Sequence, residues 1–309
     1  MNENSIMKSS IAAVTGGFGS VGSQIVEELV CAGWQVKILS RIKRVSSSLN
    51  VTVIQSDLND PVGLKILLEG VDAIFHCAAE LIDEKKMYLT NVEGTRTLLD
   101  VTAQTRASFF CLISSAGVIS SSVDNLITEE TDCNPKNTYE KTKYKSELLV
   151  KNANLNMSVC ILRPTNVVSS LRPGVLMLPI LNGWKEKLKV KIKGQELAHI
   201  VYAKDVARVA MFCLNKKIIG VNVFFISIDD DKNNNILDIY KEYIGLLNKK
   251  NRINLTLPVY IPFILRKLFR RGDLHGKVAF SNKKLKKYGF EFKYSVQDIL
   301  REIHKKRGG

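Results

Sequence analysis

Tyr139 and Lys143 stand four residues apart in Tyr139-Glu140-Lys141-Thr142-Lys143, which puts both side chains on one face of a helix. A phenol titrates near pH ~10 and is a poor acid–base catalyst at neutral pH. A neighbouring ammonium stabilises the phenolate and lowers that value. Ser114 and Ser115 follow the apolar run Phe109–Ile113. A hydroxyl at the carboxyl edge of such a strand can hydrogen-bond a substrate carbonyl. These residue types predict proton transfer to or from an oxygen, with a serine to polarise it.

A second motif points to a phosphate-bearing cofactor. Thr15-Gly16-Gly17-Phe18-Gly19-Ser20-Val21-Gly22 joins a predicted strand to a predicted helix. Gly16, Gly19 and Gly22 fit a dinucleotide loop: a sharp turn, a close approach to the pyrophosphate and close packing of the helix on the sheet. Phe18, Ser20 and Val21 complete the loop. The helix start offers N–H groups and a positive dipole end to phosphates. The second strand ends in Ser40-Arg41-Ile42-Lys43-Arg44, where a site for NAD would carry an acid for the ribose 2′-hydroxyl. Arg41 and Arg44 suit a 2′-phosphate instead, so NADP(H) is predicted ahead of NAD(H), which remains possible.

These groups need a scaffold, and the first 170 residues supply its pattern. Ile11–Val14, Val36–Leu39, Val51–Ile54, Ala73–Cys77, Phe109–Ile113 and Val159–Leu162 are short, branched runs that read as buried strands. Val21–Ala32, Pro61–Glu69, Lys85–Ala103 and Thr138–Asn154 read as helices, the first closed by Gly33. The alternation predicts an α/β fold with a doubly wound parallel sheet, a Rossmann domain over residues 1–170 completed by about 201–228. A helix over Ala203–Leu214 and a strand over Val221–Ile228 belong to that completion. Residues 171–200, read as loop-rich, and 229–309 form a smaller C-terminal substrate-binding lobe. In that lobe a helix after 230, a short strand over Arg252–Leu255 and a helix near Val296–His304 are expected.

With these motifs in order, the chain resembles the extended short-chain dehydrogenase/reductase family, which includes NAD-dependent epimerases and dehydratases. Residues 15–22 resemble its TGxxGxxG loop. Ser56-Asp57-Leu58 is similar to the segment that meets the adenine, and His76-Cys77-Ala78-Ala79 to the one that lines the cofactor after the fourth strand. Asn91-Val92-Glu93-Gly94-Thr95 resembles the helix motif N-V-x-G-T. Leu162-Arg163-Pro164 resembles the strand ending beside the nicotinamide, near Pro164 and Val167. Ala203-Lys204-Asp205-Val206-Ala207 and Ser281 to Phe290 resemble two later motifs. The resemblance implies catalytic roles for Ser115, Tyr139 and Lys143, with Lys143 also holding the nicotinamide ribose. It implies cofactor contacts from Asp57, Leu58, Cys77, Ala78, Ala79, Asn91, Tyr139, Lys143, Pro164 and Val167, and a homodimer.

Departures from the family's pattern narrow the substrate. Ala116 and Gly117 stand where dehydratases resembling this chain carry an acidic pair, so water elimination is not expected. Ala198, followed by His199, occupies the place of an arginine that clamps nucleotide-sugar diphosphates, although Arg172, Lys191 or Lys193 could serve. The expected activity is NADP(H)-dependent reduction of a ketone, on a nucleotide-linked keto-sugar or a hydrophobic carbonyl compound. The alternatives are a nucleotide-sugar 4-epimerase with tightly bound NAD and a non-catalytic NADP-sensing or nucleic-acid-binding relative.

Composition bounds these readings. The 309 residues carry 45 Lys+Arg against 30 Asp+Glu, a net charge of +15, with 45% hydrophobic residues. These proportions fit a globular chain and exclude a fibrous repeat. The basic residues form no single tract, so the charge reads as a solvated surface rather than a nucleic-acid footprint. No run approaches the ~20 apolar residues of a membrane span, and no signal peptide is evident, so a cytoplasmic protein without stable membrane insertion is expected. Six scattered cysteines read as buried reduced thiols, and four dispersed histidines give no metal motif. Asp229-Asp230-Asp231 reads as a polar turn. Leu257 to Arg271, apolar and then basic, reads as a core helix capped by cations; the alternative is a face that lies on a membrane surface or admits a lipid-like substrate.

Overall fold

Branched strands and amphipathic helices alternate as their periodicities dictate. The computed structural model describes residues 10–120, 122, 125–250, 253, 255–268 and 276–308. The first half runs β1 (Ile11–Thr15), α1 (Gly22–Cys31), β2 (Gln35–Ser40), β3 (Val51–Gln55), α2 (Pro61–Leu68), β4 (Ala73–His76), α3 (Glu84–Met87), α4 (Gly94–Thr102), β5 (Phe109–Ile113), β6 (Leu126–Ile127) and α5 (Thr138–Asn152). The second half runs β7 (Ser158–Pro164), β8 (Asn166–Val168), α6 (Met177–Leu181), α7 (Trp184–Lys193), β9 (Ile200–Tyr202), α8 (Ala203–Lys216), β10 (Val221–Ile226), α9 (Ile236–Leu246), α10 (Tyr260–Leu268), β11 (Ala279–Phe280), α11 (Lys283–Lys287) and α12 (Val296–Gly308).

Seven strands form one parallel sheet in the order β10-β7-β5-β4-β1-β2-β3. In-register parallel pairs join Thr15 to Leu39 and to His76, so the ends of β1, β2 and β4 lie at one edge. The strand order reverses between β1 and β4, where doubly wound sheets bind ligands.

The chain divides into two compact units. The first comprises Met1–Ile113, Lys145–Ile161 and Ala210–Asn222; the second comprises Ser114–Tyr144, Leu162–Val209 and Val223–Gly309. In the first unit Ala12, Ala13, Ile25, Leu29, Ile74, Phe75 and Phe110 are wholly buried. Pro61 opens α2 behind Asp60, whose carboxylate accepts from the Val62 N–H at 3.0 Å. The predicted helix over Lys85–Ala103 is α3 and α4 joined by a π-turn, Tyr88–Glu93, that contains Asn91. Such a turn re-aims side chains within an otherwise continuous helix.

In the second unit Val168, Leu176, Ile200, Ile239, Tyr243, Ile299, Leu300 and Ile303 form one core. Ala116, Val118, Ile127, Phe225 and Phe280 form another, beneath β6 and β11. The expectation of loops over 171–200 fails, because α6 and α7 occupy much of that stretch. Pro179 and Gly183 break the apolar period of the sequence, while Leu178, Val190, Tyr240 and Ile244 pack in one cluster and hold the short helices. The expected strand over Arg252–Leu255 falls partly outside the described residues, and its described members, Ile253 and Leu255, are not in a strand. The basic end of the 257–271 stretch, from 269 onward, also lies outside them.

The Asp229–Asp231 turn ties three later segments down. Asp229 accepts from the Phe280 N–H at 2.9 Å and pairs with His199 at 2.7 Å. Asp230 accepts from Asn282 Nδ2 at 2.9 Å, and Asp231 accepts from the Val296 N–H at 2.9 Å. Asp205 does the same at the start of α8, accepting from the N–H groups of Lys293 and Tyr294, both at 3.2 Å. Of the cysteines, Cys111, Cys160 and Cys213 are buried, whereas Cys31 is exposed on the last turn of α1.

Gly245 lies exposed in α9 with open space around the position of a Cβ. Gly245→Ala is therefore expected to raise stability by about 0.5–1 kcal/mol, because alanine restricts the unfolded chain and favours the helix. Chemical denaturation should show a higher midpoint with an unchanged slope.

Candidate active site

In the first unit the phosphate loop is tight. Gly16 has a φ of +69°, and a Cβ there would lie 2.6 Å from the Ala78 nitrogen. The loop is thus pressed against Cys77-Ala78, the segment that follows β4. The Gly19 N–H donates to the Gly16 carbonyl at 2.9 Å and closes the turn. Helix α1 starts at Gly22, one residue later than its sequence suggests, with Val21 before it and no side chain capping it. Its first N–H groups and positive dipole end are suited to an anion.

A buried polar chain supports this loop from behind. Thr15 Oγ1 and His76 Nδ1 are 2.7 Å apart, and His76 Nε2 and Thr95 Oγ1 are 2.9 Å apart. Thr95 Oγ1 in turn donates to the Asn91 carbonyl at 2.5 Å. The Asn91 side chain pairs with the backbone of Glu80, and Ser146 Oγ donates to the Asn91 carbonyl at 2.6 Å. Thr15, His76 and Thr95 therefore link β1, β4 and α4, a role their sequence spacing does not announce.

The remaining first-unit candidates are dispersed around this edge. Arg41 is exposed, beyond Ser40, whose hydroxyl donates to the Ile42 carbonyl at 2.7 Å. Arg44 lies over the Phe18 ring at 4.5 Å from its centroid. Asp57 Oδ1 accepts from the backbone and side-chain nitrogens of Asn59, both at 2.9 Å. Leu58 is buried against Gly94. Glu80 stands electrostatically beside Arg41. Its carboxyl is held below the usual range by the Ile82 and Asp83 N–H groups and, to a smaller extent, by that guanidinium.

In the second unit Ser115 opens a short 3-10 turn, Ala116–Val118, and accepts from the Gly117 N–H at 3.1 Å. That leaves its hydroxyl proton available to Tyr139, with which it hydrogen-bonds. Burial pushes the Tyr139 phenol up to about 12, against the opposing charge of Arg172 and the bond from Ser115. The phenol is thus less acidic than a solvated one, the reverse of the shift expected from Lys143 alone. Desolvation of the phenolate outweighs the nearby positive charge. Lys143 is itself buried in the same helix. Pro164 ends β7, and Val167 lies in β8.

Glu140 anchors the start of α5, the helix that carries Tyr139 and Lys143. Asn137 Oδ1 accepts from the Glu140 N–H at 2.9 Å, and Glu140 Oε2 accepts from the Asn137 N–H at 3.2 Å, a reciprocal cap that fixes where α5 begins. The same carboxylate accepts from Ser120 Oγ at 2.5 Å and from the Lys136 N–H at 2.8 Å. The Asn137-x-x-Glu140 spacing was the available signal for it. Arg172 is exposed and sits in a tight turn, its N–H donating to Ser169 Oγ at 3.0 Å. No local spacing relates it to Tyr139. Among the described residues no group of His, Cys, Asp and Glu is placed to hold a metal ion.

Residues 12–224 match the model of the NAD dependent epimerase/dehydratase family. The chain belongs to that family. Its members include the extended short-chain dehydrogenases/reductases that the glycine loop and the Tyr139/Lys143 pair resemble. This family member is 31% identical over 189 residues to a sterol-4-alpha-carboxylate 3-dehydrogenase, decarboxylating, of Dictyostelium discoideum, covering 57% of this chain and 54% of that protein. It is 26% identical over 220 residues to sterol demethylase protein B of Methylococcus capsulatus, covering 67% and 66%. The chain spans about half the length of the first curated relatives it matches. Among solved structures, the Bordetella bronchiseptica enzyme WbmH in complex with NAD+ superposes with a TM-score of 0.76 at 17% identity, over 96% of this chain and 99% of that one. That likeness establishes the fold. Among the described residues no helix of this family member is long and apolar enough to cross a membrane.

Proposed function

We propose that the chain interconverts a ketone and a secondary alcohol on a hydrophobic substrate, with NADP(H) as the hydride carrier. The observation that carries the reading is the half-buried Tyr139 phenol hydrogen-bonded to Ser115. The loop fits a dinucleotide, since the close approach of Gly16 to Ala78 leaves no room for a side chain where phosphates would need backbone contact. A bound nicotinamide dinucleotide supplies or accepts the hydride.

The chain's own residues divide the remaining tasks. Gly16 to Gly22 hold the pyrophosphate, and Asp57, Leu58, Cys77, Ala78, Ala79 and Asn91 frame the rest of the dinucleotide. Tyr139 gives a proton to the carbonyl oxygen during reduction. Its position near 12 keeps it protonated at neutral pH, which suits an acid. Ser115 polarises the same oxygen, and Lys143 supports the nicotinamide ribose beside Pro164 and Val167. The curated relatives named for sterols favour a hydrophobic ring substrate over a nucleotide-linked keto-sugar.

Arg41 is the reason for preferring NADP(H). No acid ends β2, and an exposed guanidinium there can pair with a 2′-phosphate. Arg41→Glu is expected to weaken NADPH binding by about tenfold or more while changing NADH binding little. Fluorescence titration with both dinucleotides checks this; equal losses would remove the 2′-phosphate role. The second reading is a nucleotide-sugar 4-epimerase that retains NAD, the dinucleotide in complex with WbmH, which shares this fold. NAD released on denaturing the purified protein would favour that reading.

A further inference from the structure

Within the second unit, an apolar ridge faces outward between lysines. Leu181 ends α6, and Trp184 and Leu188 lie four residues apart on one face of α7. Tyr260, Ile264 and Leu268 repeat at the same spacing along α10, whose opposite side carries the buried Pro262. These six side chains are between 48% and 72% exposed, far from the burial expected of a core helix. The Leu257 N–H, three residues before α10, donates to the Lys191 carbonyl of α7 at 2.8 Å. Lys185, Lys189 and Lys191 are exposed beside the α7 ridge, and Lys185 Nζ is 5.6 Å from the Trp184 ring centroid. Helix α7 carries five lysines against Glu186 alone.

From this arrangement we infer that the α7–α10 face docks on an anionic lipid surface. The charge pattern selects the occupant. Apolar tips with a tryptophan and a tyrosine sit at headgroup depth, while lysine stems lie along the apolar layer and deliver their ammonium groups to lipid phosphates. Each such cation adds to attraction for a negative leaflet, and the attraction falls with salt. Large apolar side chains left exposed at helical spacing on both helices mark an interaction surface. The docking is peripheral, since no described helix crosses a membrane. It does not depend on the proposed chemistry, because every residue involved lies outside the Ser115–Tyr139–Lys143 set.

The test is flotation of the whole chain with phosphatidylcholine vesicles, with and without phosphatidylserine. Binding is expected only with phosphatidylserine and should weaken as salt is raised. Lys185→Glu with Lys189→Glu should lower partitioning at least about tenfold. Leu181→Ser with Trp184→Ser should abolish it, and both pairs should melt like the parent because the altered side chains are exposed. The chain has two tryptophans, so in a Trp34→Phe background the Trp184 emission reports alone and should shift to the blue on vesicles. No flotation with phosphatidylserine at low salt would overturn the inference. So would binding that is unchanged by either pair. A dimer that forms without vesicles and is lost in Leu181→Ser with Trp184→Ser would assign the ridge to a second copy instead.

Discussion

Tyr139→Phe should lower turnover by about 10²–10⁴-fold while leaving dinucleotide affinity nearly unchanged. Phenylalanine keeps the ring and its packing and removes only the oxygen that Ser115 contacts. If the proton passes through that oxygen, the loss appears in kcat, because no binding interaction with the dinucleotide's phosphates is touched. The pH dependence has a definite sign. A phenol held near 12 is protonated throughout the neutral range, so ketone reduction should be flat with pH there. Alcohol oxidation needs the phenolate, so its rate should climb about tenfold per pH unit towards 12. Stopped-flow turnover in both directions, with dinucleotide affinity measured by calorimetry, separates these effects. Parental turnover in Tyr139→Phe, or an oxidation rate that is level with pH, would remove Tyr139 from the reaction.

The sheet was legible because each of its strands is a short branched run and each intervening helix keeps its own apolar stripe. The glycine loop was legible because its spacing is a backbone requirement, met where a strand gives way to a helix. What escaped depends on contacts between distant residues. Arg172 acts on Tyr139 from a turn 33 residues further along the chain, and no local pattern links the two. Helix α6 contains Pro179 and Gly183 precedes α7, and burial of the two helices on α9 stabilises them more than their own propensity does. The upward shift of the Tyr139 phenol is hidden from the sequence for the same reason. Lys143 is visible in the sequence, whereas the desolvation that raises the phenol is set only by the folded chain. The interleaving of the two compact units, each built from three separate stretches, is likewise a property of tertiary packing.

Gly22→Ala should reduce dinucleotide affinity by about a hundredfold and destabilise the first unit by about 1–3 kcal/mol. A Cβ at Gly22 would overlap the Gly16 carbonyl oxygen, with the Gly16 carbonyl carbon at 2.8 Å and the Gly17 Cα at 3.0 Å. All three are backbone atoms, so no rotamer change relieves the clash. The Gly16 carbonyl cannot swing aside without breaking its bond from the Gly19 N–H, and Gly16 cannot retreat because Ala78 lies directly behind it. Either the loop shifts or α1 tilts away from β1. Both movements carry the helix N–H groups off the positions in which they can meet a pyrophosphate, so an error of packing becomes an error of recognition. Affinity should fall alike for NADH and NADPH, since the lost contacts are common to both, and this sets the variant apart from Arg41→Glu. Calorimetric titration beside thermal melting reads both effects. A Gly22→Ala protein that melts lower but binds both dinucleotides normally would show that the loop shapes the fold and holds no phosphate.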